Sequence, residues 1–158
     1  MSGQQSAVDG DDVSGIELSH AFYVDAVQPI LGRHFPDLRY SACLLGYSSE
    51  VLGFDDHRSR DHNWGPRVRL LLDESDFDKK PAIEAVLASE LPVSCLGWPT
   101  NFGKDESAWN LVPTDAGPVN HHVEVFEAGF FFVCHLGFDP RRPISTRDWL
   151  SVSTQRLL

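Results

Sequence analysis

The stretch that decides the fold is YSACLLGYSSEVLGFDDHRSRDHNWGPRVRLLL, residues 40–72. Its first apolar run, Tyr40 to Leu45, stops at Gly46, and its second, Arg67 to Leu72, is almost continuous in apolar residues. Both runs have the length of a buried strand, although periodicity alone leaves a helix open for the first. The sequence therefore predicts two elements of one core, joined by a long polar connection that contains several arginines.

The composition of the chain indicates a single domain. The chain has 158 residues, of which 42% are hydrophobic and 11% aromatic, enough for one substantial core. Its 23 acidic residues outnumber its 13 basic residues. Nucleic-acid backbones are bound by basic faces, so we expect no nucleic-acid partner, while a small polar or phosphorylated ligand remains open.

The chain shows no sequence pattern of a membrane segment or a signal peptide. Its apolar runs fall short of the roughly 18 residues of a membrane span, and the start MSGQQSAVDGDDVSG is polar throughout. We therefore expect a cytoplasmic protein with no membrane partner. Its cysteines, Cys43, Cys95 and Cys134, are odd in number and lie among apolar neighbours, which predicts buried reduced thiols rather than disulfides.

The N-terminal part divides into a tail and a helix. Residues 1–13 are polar and acidic without a period, which predicts a disordered tail. Ser14 and Glu17 have the spacing of a capping box and open onto one apolar helical face, formed by Leu18, Phe22, Ala26 and Ile30. We expect this helix to end near Gly32, with Pro29 bending or shortening it.

The middle of the chain predicts one helix, one irregular segment and a strand followed by a helix. Residues 78–91 have the apolar spacing of a helix, and SCLGWPTNFG, residues 94–103, has the glycine and proline content of a loop or of a strand that ends in a turn. His121 to Phe126 alternates like a strand, and a short apolar helix should follow it and end around Gly137.

The last segments predict two short helical pieces. Residues 146–150 suggest a turn of helix, and residues 152–158 suggest the opening of another. We expect one domain over residues 14–158, truncated before a C-terminal helical region, with a frayed natural terminus as the alternative.

The polar connection after Gly46 has the chemistry of a phosphate and metal site. If its small-residue turn joins a strand to a helix, the backbone amides of Ser48 and Ser49 could bind a triphosphate. Asp61 and Asn63 lie two apart, and in an extended segment this spacing places both side chains on one face. We expect both to face the same ligand.

A magnesium site needs further oxygen ligands and positive charge for the phosphates. Mg²⁺ is held by one or two carboxylates, waters and substrate phosphates, so Asp61 needs a second acidic partner. Glu124 is the candidate, because it alternates with valines on the predicted strand and would otherwise be a charge in an apolar neighbourhood. The arginines that could neutralise phosphate charge are Arg58, Arg60 and Arg67.

The run LLGYSSEVLGFDDHRSRDHNWGPR resembles the family known as domain of unknown function 4037, which belongs to the nucleotidyltransferase superfamily of DNA polymerase beta and the aminoglycoside nucleotidyltransferases. The superfamily motif is a hydrophobic residue with Gly-Ser, then Asp-x-Asp or Asp-x-Glu, and a third acidic residue on a neighbouring strand. Other segments that resemble the family are GIELSHAFY, GWPTNFG, GPVNHHVEVFEAGFFF, LGFDPRRPISTRDWL and QRLL. The resemblance implies an α+β fold with a nucleotidyltransferase-like small mixed β-sheet flanked by helices.

The resemblance also implies roles for individual residues. The Gly-Ser pair falls on Ser48 and Ser49, beside Gly46, and the acidic positions fall on Asp61, Asn63 and Glu124. It thus implies a nucleoside triphosphate as substrate or ligand, Mg²⁺ as cofactor, and Asp61 and Glu124 as catalytic groups. Asn63 brings no charge to a position that is normally a carboxylate shared by two metal ions, so we expect catalysis to be impaired.

Simpler interpretations stand beside each of these assignments. Asp61 and Asn63 have the composition of a turn, Ser48 and Ser49 that of a helix cap, and Glu124 could pair with an arginine across the sheet. Zinc binding by the group His121, His122, Cys134 and His135 is a further alternative. At the level of function, the alternatives are an active metal-dependent nucleotidyltransferase acting on a small molecule or protein, and a non-catalytic protein-interaction module.

Overall fold

The computed structural model describes residues 13–45, 65–104 and 111–155. Within these ranges the helices are α1 Gly15–Phe22, α2 Gln28–His34, α3 Lys80–Glu90, α4 Ala128–Leu136 and α5 Thr146–Gln155. The strands are β1 Tyr40–Cys43, β2 Val68–Leu72, β3 Ser94–Cys95, β4 Trp98–Pro99, β5 Phe102–Lys104, β6 Leu111–Pro113 and β7 Val123–Glu127. The predicted α+β class is confirmed, and the strands predicted at residues 40–45, 67–72 and 121–126 are present as β1, β2 and β7 with slightly different ends.

The largest sheet has three strands in the order β1-β2-β7. β1 runs antiparallel to β2, with Cys43 opposite Arg69 and Tyr40 opposite Leu72. β7 runs parallel to β2, with Arg69 opposite Glu124. A parallel pair requires a long crossover, and residues 73–122, which contain α3, provide it. The sheet is therefore mixed, and four of the five residues of its middle strand are buried.

The two faces of this sheet have different environments. One face carries the core, in which alternate residues of β2 and β7 pack against α1, α2 and α3; its members include Val68, Leu70, Leu72, Val123, Val125, Phe22, Leu31, Ile83 and Leu87. The intervening residues, Arg69, Leu71, Glu124 and Phe126, belong to the other face because side chains alternate along a strand. α4 lies beside β2 and β7, and its Phe131 packs against Phe126.

The first helix follows the predicted capping but continues further than expected. The Ser14 side chain accepts the backbone N–H of Glu17, and the Glu17 carboxylate accepts the backbone N–H of Ser14. A π turn, Tyr23–Val27, joins α1 to α2, and there the Gln28 N–H reaches back to the Tyr23 carbonyl. Proline lacks the N–H that a regular helix needs, and the widened turn just before Pro29 lets the helix continue to His34, beyond the expected end at Gly32.

The crossover helix α3 is slightly shorter than the predicted residues 78–91, and a less regular helical segment precedes it. A 3₁₀ segment, Glu74–Lys79, precedes α3, which has Pro81 in its first turn and ends at Glu90. Proline is tolerated there because the first N–H groups of a helix have no partner within it. After α3, the segment at 94–103 forms a short hairpin, β3–β4, and then enters β5.

The turn of the β3–β4 hairpin carries a leucine in an unfavourable backbone conformation. Leu96 has φ 48°, Gly97 has φ 83°, and Cys95 pairs with Trp98 across the two-residue turn. Positive φ at both central residues is typical of a type I′ turn, for which Asn-Gly is the preferred sequence. Leu96 gains no burial in return, since 54% of it is exposed.

Replacement of this leucine should stabilise the protein. We expect Leu96→Asn to raise the free energy of unfolding by about 0.5–1 kcal/mol, because asparagine tolerates the left-handed region better than leucine. Urea denaturation measures the change. Leu96→Ala is the control, since it removes the exposed apolar side chain without favouring positive φ. An equal gain in both variants would show that apolar exposure, not backbone strain, was relieved.

The C-terminal elements agree with the sequence in part. The Glu127 carboxylate caps α4 by accepting the N–H groups of Gly129 and Phe130, and Gly137 ends that helix with φ 81°, as the sequence predicts. The two pieces expected at 146–150 and 152–158 are instead one helix through residue 155, since no glycine or proline interrupts them. Residues 156–158 lie outside the described part of the chain.

Two further findings concern the cysteines and the membrane. All three cysteines are free, as expected, but Cys43 and Cys95 are only partly buried and Cys134 is exposed, which corrects the prediction that all three are buried. The position of Cys134 on the outer side of α4, rather than the apolar character of its neighbours, determines its exposure. Among the described helices, none is both long enough and apolar enough to cross a membrane.

Candidate functional site

Three segments of the chain meet at one edge of the main sheet. Because β1 is antiparallel to β2, the end of β1 lies where β2 begins, and β7 also begins there because it is parallel to β2. The register places Cys43, Arg69 and Glu124 side by side in one row across the three strands. We call this row and its neighbours Leu45, Arg67 and His122 the edge cluster.

The described residues include only part of the predicted site. Arg67 and Glu124 are described, and both belong to the edge cluster. The other predicted site residues lie outside the described ranges: Gly46, Ser48, Ser49, Arg58, Arg60, Asp61 and Asn63. Their neighbours on either side, Leu45 and Gly65, are described, and the segment containing them leaves β1 and returns to β2 at this edge.

Glu124 occupies a less apolar position than its sequence neighbours indicate. Val123 and Val125 point into the core, whereas Glu124 points to the opposite face with 52% of its side chain exposed. Its Oε2 accepts a hydrogen bond from Nε of Arg69 at 2.7 Å. The pairing with an arginine across the sheet, which the sequence left open, is therefore present.

Arg69 is the residue of the edge cluster that the sequence did not indicate. Only 22% of its side chain is exposed. Besides Glu124, it donates to the carbonyl oxygen of Leu45, and its guanidinium carbon lies 5.9 Å from the centre of the Phe126 ring and 5.8 Å from that of Phe131. The sequence signal for Arg69 is its position as a single charged residue within an apolar strand. Its pairing with Glu124, however, depends on the register of β2 with β7, which the sequence does not reveal.

His122 adds a neutral polar ring to the edge cluster. It stacks on Phe102 with the ring centres 4.2 Å apart and an angle of 6° between the planes. Burial, and to a smaller extent the nearby positive charge of Arg67, lowers the pKa of His122 to about 4, so the imidazole is uncharged at neutral pH. Phe102 is in turn held by two hydrogen bonds with Asn120, one through its N–H and one through its carbonyl.

Arg67 connects the edge cluster to the first helix. Its backbone N–H donates to Oγ of Ser19, which is buried in α1. A cavity of about 190 Å³ lies at this junction, lined mostly by apolar atoms of Ile16, Tyr23, Ala42, Leu44, Arg67 and Val68. This volume is below the roughly 300–1,000 Å³ typical of small-molecule sites, so the described residues alone do not form a pocket for a whole nucleotide.

A larger cavity lies elsewhere and shares no lining residue with the edge cluster. Its volume is about 520 Å³, and residues around the end of α4 line it, including Gly137, Phe138, Asp139 and Arg142. Its lining includes acidic and basic side chains, but the Asp139 carboxylate is already paired with Arg141, and none of the residues predicted for the site lines this cavity. The edge cluster, where charged and polar groups converge, is therefore the better candidate site.

The described residues do not support the zinc alternative. No three or more His, Cys, Asp or Glu side chains within the described ranges are grouped so that they could hold a metal ion. In particular, Nδ1 of His135 is hydrogen-bonded to the Phe131 carbonyl, and Nδ1 of His121 accepts the Val123 N–H.

Comparison of the chain with protein-family models, with curated proteins and with solved structures finds no match. The family resemblance therefore stays a prediction from the sequence.

Proposed function

We propose that the chain is a nucleotidyltransferase-like domain that binds a nucleoside triphosphate with Mg²⁺ in the cytoplasm, and that its catalysis is impaired. The proposal includes the finer fold assignment, a nucleotidyltransferase-like arrangement of the α+β domain. The resemblance of residues 44–67 to the superfamily motif supports it, and so does the mixed sheet with helices on its core face.

The observation that carries the proposal is the convergence at the edge of the sheet. The motif requires the turn after the first strand, the acidic pair before the second and the acidic residue of a neighbouring strand to share one site. The sheet order β1-β2-β7 puts the end of β1, the start of β2 and Glu124 at the same edge. With another strand order or another direction of β7, these segments would lie apart.

Each residue of the motif has a role in the proposed reaction. Ser49 would hold phosphate through its amide and hydroxyl, and Asp61 would bind the metal ion. Arg67 would neutralise phosphate charge, and Glu124 would stand at the third acidic position, as a ligand or as the base for the acceptor hydroxyl. The acceptor hydroxyl would lose its proton to a base and attack the α-phosphorus in line, the bond from the α-phosphorus to the oxygen of the β-phosphate would break, and pyrophosphate would leave. A metal ion held by Asp61 would supply the positive charge that stabilises the leaving group.

A second candidate function is supported by a different part of the molecule. Large apolar side chains are exposed on α4 and α5, namely Phe130, Val133, Trp149 and Leu150. Exposed apolar patches often mark protein contacts, so a non-catalytic interaction module remains the competing proposal. A fully active transferase is the other competing proposal, and it predicts release of pyrophosphate in the presence of metal.

A thermal-shift panel tests the proposed function. We expect one of four nucleoside triphosphates, supplied with Mg²⁺ and at a nucleotide concentration of about 100 times its Kd, to raise the free energy of unfolding by about 2.7 kcal/mol. This stabilisation corresponds to a Tm increase of about 5–10 °C. Asp61→Ala should remove this increase, because the metal ion loses its charged ligand.

The matched control is Asp115→Ala, which removes an exposed carboxylate outside the edge cluster. It should retain the full increase in Tm. If no triphosphate raises the Tm of the unmodified protein, with or without metal, the interaction module becomes the better proposal. Metal-dependent pyrophosphate release that Asp61→Ala abolishes would instead support the active transferase.

A further inference from the structure

The cavity between α1 and the first two strands lies where two small side chains meet. Ala42 of β1 packs against the core beside its register partner Leu70, and Ser19 is buried in α1. Both residues line the same space of about 190 Å³. Protein interiors are normally close-packed, and a larger side chain at either position would fill this space. The two small residues therefore keep the cavity open.

The walls of this cavity are almost entirely apolar. Ile16 and Tyr23 of α1, Leu44 after β1 and Val68 of β2 supply most of the remaining surface. Ile16 is 56% exposed, so the cavity reaches solvent beside the start of α1. An apolar cavity of roughly 150 Å³ in a protein core can hold benzene. The space between α1 and the strands thus has the size and the surface for a ring-sized apolar group.

Two hydroxyl groups in the lining already have partners within the fold. Oγ of Ser19 accepts the backbone N–H of Arg67 at 3.3 Å. The hydroxyl of Tyr23 shares a hydrogen bond of 3.2 Å with the hydroxyl of Tyr40. A ligand would have to break these bonds in order to use either hydroxyl, and the partner left behind would lose its own hydrogen bond.

The thiol in the lining is also engaged and uncharged. Sγ of the half-buried Cys43 donates to the Arg69 carbonyl at 3.7 Å. Burial raises the pKa of this thiol, so the thiol brings no charge to the cavity at neutral pH. A polar ligand would give up its hydration here without finding free partners in these groups, whereas an apolar ligand gains from leaving water. The lining therefore favours a neutral apolar ligand.

We propose that this cavity is a binding site for one neutral apolar group of ring size, such as the aromatic or cycloalkyl part of a small molecule. The inference goes beyond the proposed function, because the site contains none of the predicted metal ligands and requires neither nucleotide nor Mg²⁺. Cys43 and Arg67 belong both to the lining and to the edge cluster. A ligand in the cavity would thus lie directly beside the edge cluster.

Titration of the full chain with toluene, followed by NMR of the methyl groups, tests the inference. We expect saturable shifts of the Ala42 and Val68 methyl signals, because both side chains line the cavity. The methyl signals of Val112, which is exposed in β6, should not shift. Phloroglucinol has the same ring with hydroxyl groups around it, and it should bind at least about tenfold more weakly, since those hydroxyls lose water without gaining partners.

A filled cavity provides the matched variant. Ala42→Leu places an isopropyl group in the space that toluene would occupy, and it should weaken toluene binding at least about tenfold. Ala85→Leu makes the same change at an exposed position of α3 and should leave the affinity unchanged. Equal toluene affinity in a folded Ala42→Leu variant and in the unmodified protein would overturn the inference.

Alkylation of Cys43 by N-ethylmaleimide provides a second measurement that needs no variant. At a toluene concentration of about ten times its Kd, the rate at Cys43 should fall roughly tenfold, because only the unliganded protein reacts. The exposed Cys134 is the internal control, and its rate should not change. If Ala42→Leu does not fold, this protection decides.

Three results would overturn the inference: no saturable methyl shifts with toluene, equal affinity for toluene and phloroglucinol, or unprotected Cys43 at saturating toluene. The first would mean that the protein itself fills or seals the cavity. These measurements contain neither nucleotide nor metal, so their failure leaves the thermal-shift test of the proposed function unaffected, and a failed thermal-shift test leaves the cavity site standing.

Discussion

Asn63→Asp is expected to raise metal-dependent nucleotidyl transfer by about a hundredfold or more, because a charged ligand in a metal site is worth several kcal/mol of transition-state stabilisation. An amide oxygen can contact a metal ion but cannot neutralise its charge. Release of pyrophosphate from the preferred triphosphate, measured with Mg²⁺ and with a chelator, gives the rate. The affinity for Mg²⁺ in the absence of nucleotide should rise as well.

The control for this substitution is Gln28→Glu, which makes the same amide-to-carboxylate change at an exposed position in α2. It should change neither the rate nor the metal affinity. An unchanged metal affinity in Asn63→Asp would show that position 63 does not belong to the metal site. An increase in affinity without transfer would instead mean that the defect lies in the acceptor side of the site.

Leu70→Ala is expected to lower the free energy of unfolding by about 2–5 kcal/mol. Leu70 is 0% exposed in the middle strand, with Ala42 and Val125 as its register partners on either side. Its truncation leaves a cavity between the sheet and the helices of the core face, and the flanking strands cannot close over it without losing their hydrogen bonds. The same strand supports the edge cluster, so bound nucleotide should also be lost.

Urea denaturation measures this loss of stability, and the slope of the unfolding free energy against urea concentration should be the same in the variant and in the unmodified protein. Leu150→Ala is the matched control, since the same truncation on α5 affects a side chain that is 60% exposed. Its effect should stay within about 0.5 kcal/mol. Similar losses in the two variants would mean that the core does not centre on β2.

Local sequence signals predict the main helices and strands because the residues that begin and end these elements lie within a few positions of them. The capping box at Ser14 and the left-handed Gly137 depend on hydrogen bonds within a few residues, and the structure contains both. The alternation of β7 is equally local. Predictions of helix boundaries were less accurate at two places. At Pro29 the π turn extends the helix beyond its expected end, and α5 is one helix where the sequence predicts two pieces.

The candidate site was predictable only in part. Sequence spacing drew attention to Glu124 and Arg67, and the structure places both in the edge cluster. Asp61, Asn63 and the serines after Gly46 remain predictions, because they lie outside the described residues. Arg69 was overlooked, since a single arginine within an apolar strand looks like a tolerated surface position until its neighbours are known.

The sequence by itself determined which segments become strands and helices, and it determined the charges available to a site, because these properties depend on periodicity, capping and composition within short windows. Only the tertiary structure decided that Glu124 lies on the face opposite the core and pairs there with Arg69, with about half of its side chain exposed. The two residues are far apart in sequence. Their contact depends on the parallel pairing of β2 with β7 and on the register of that pair, and neither of these can be read from a short window of sequence.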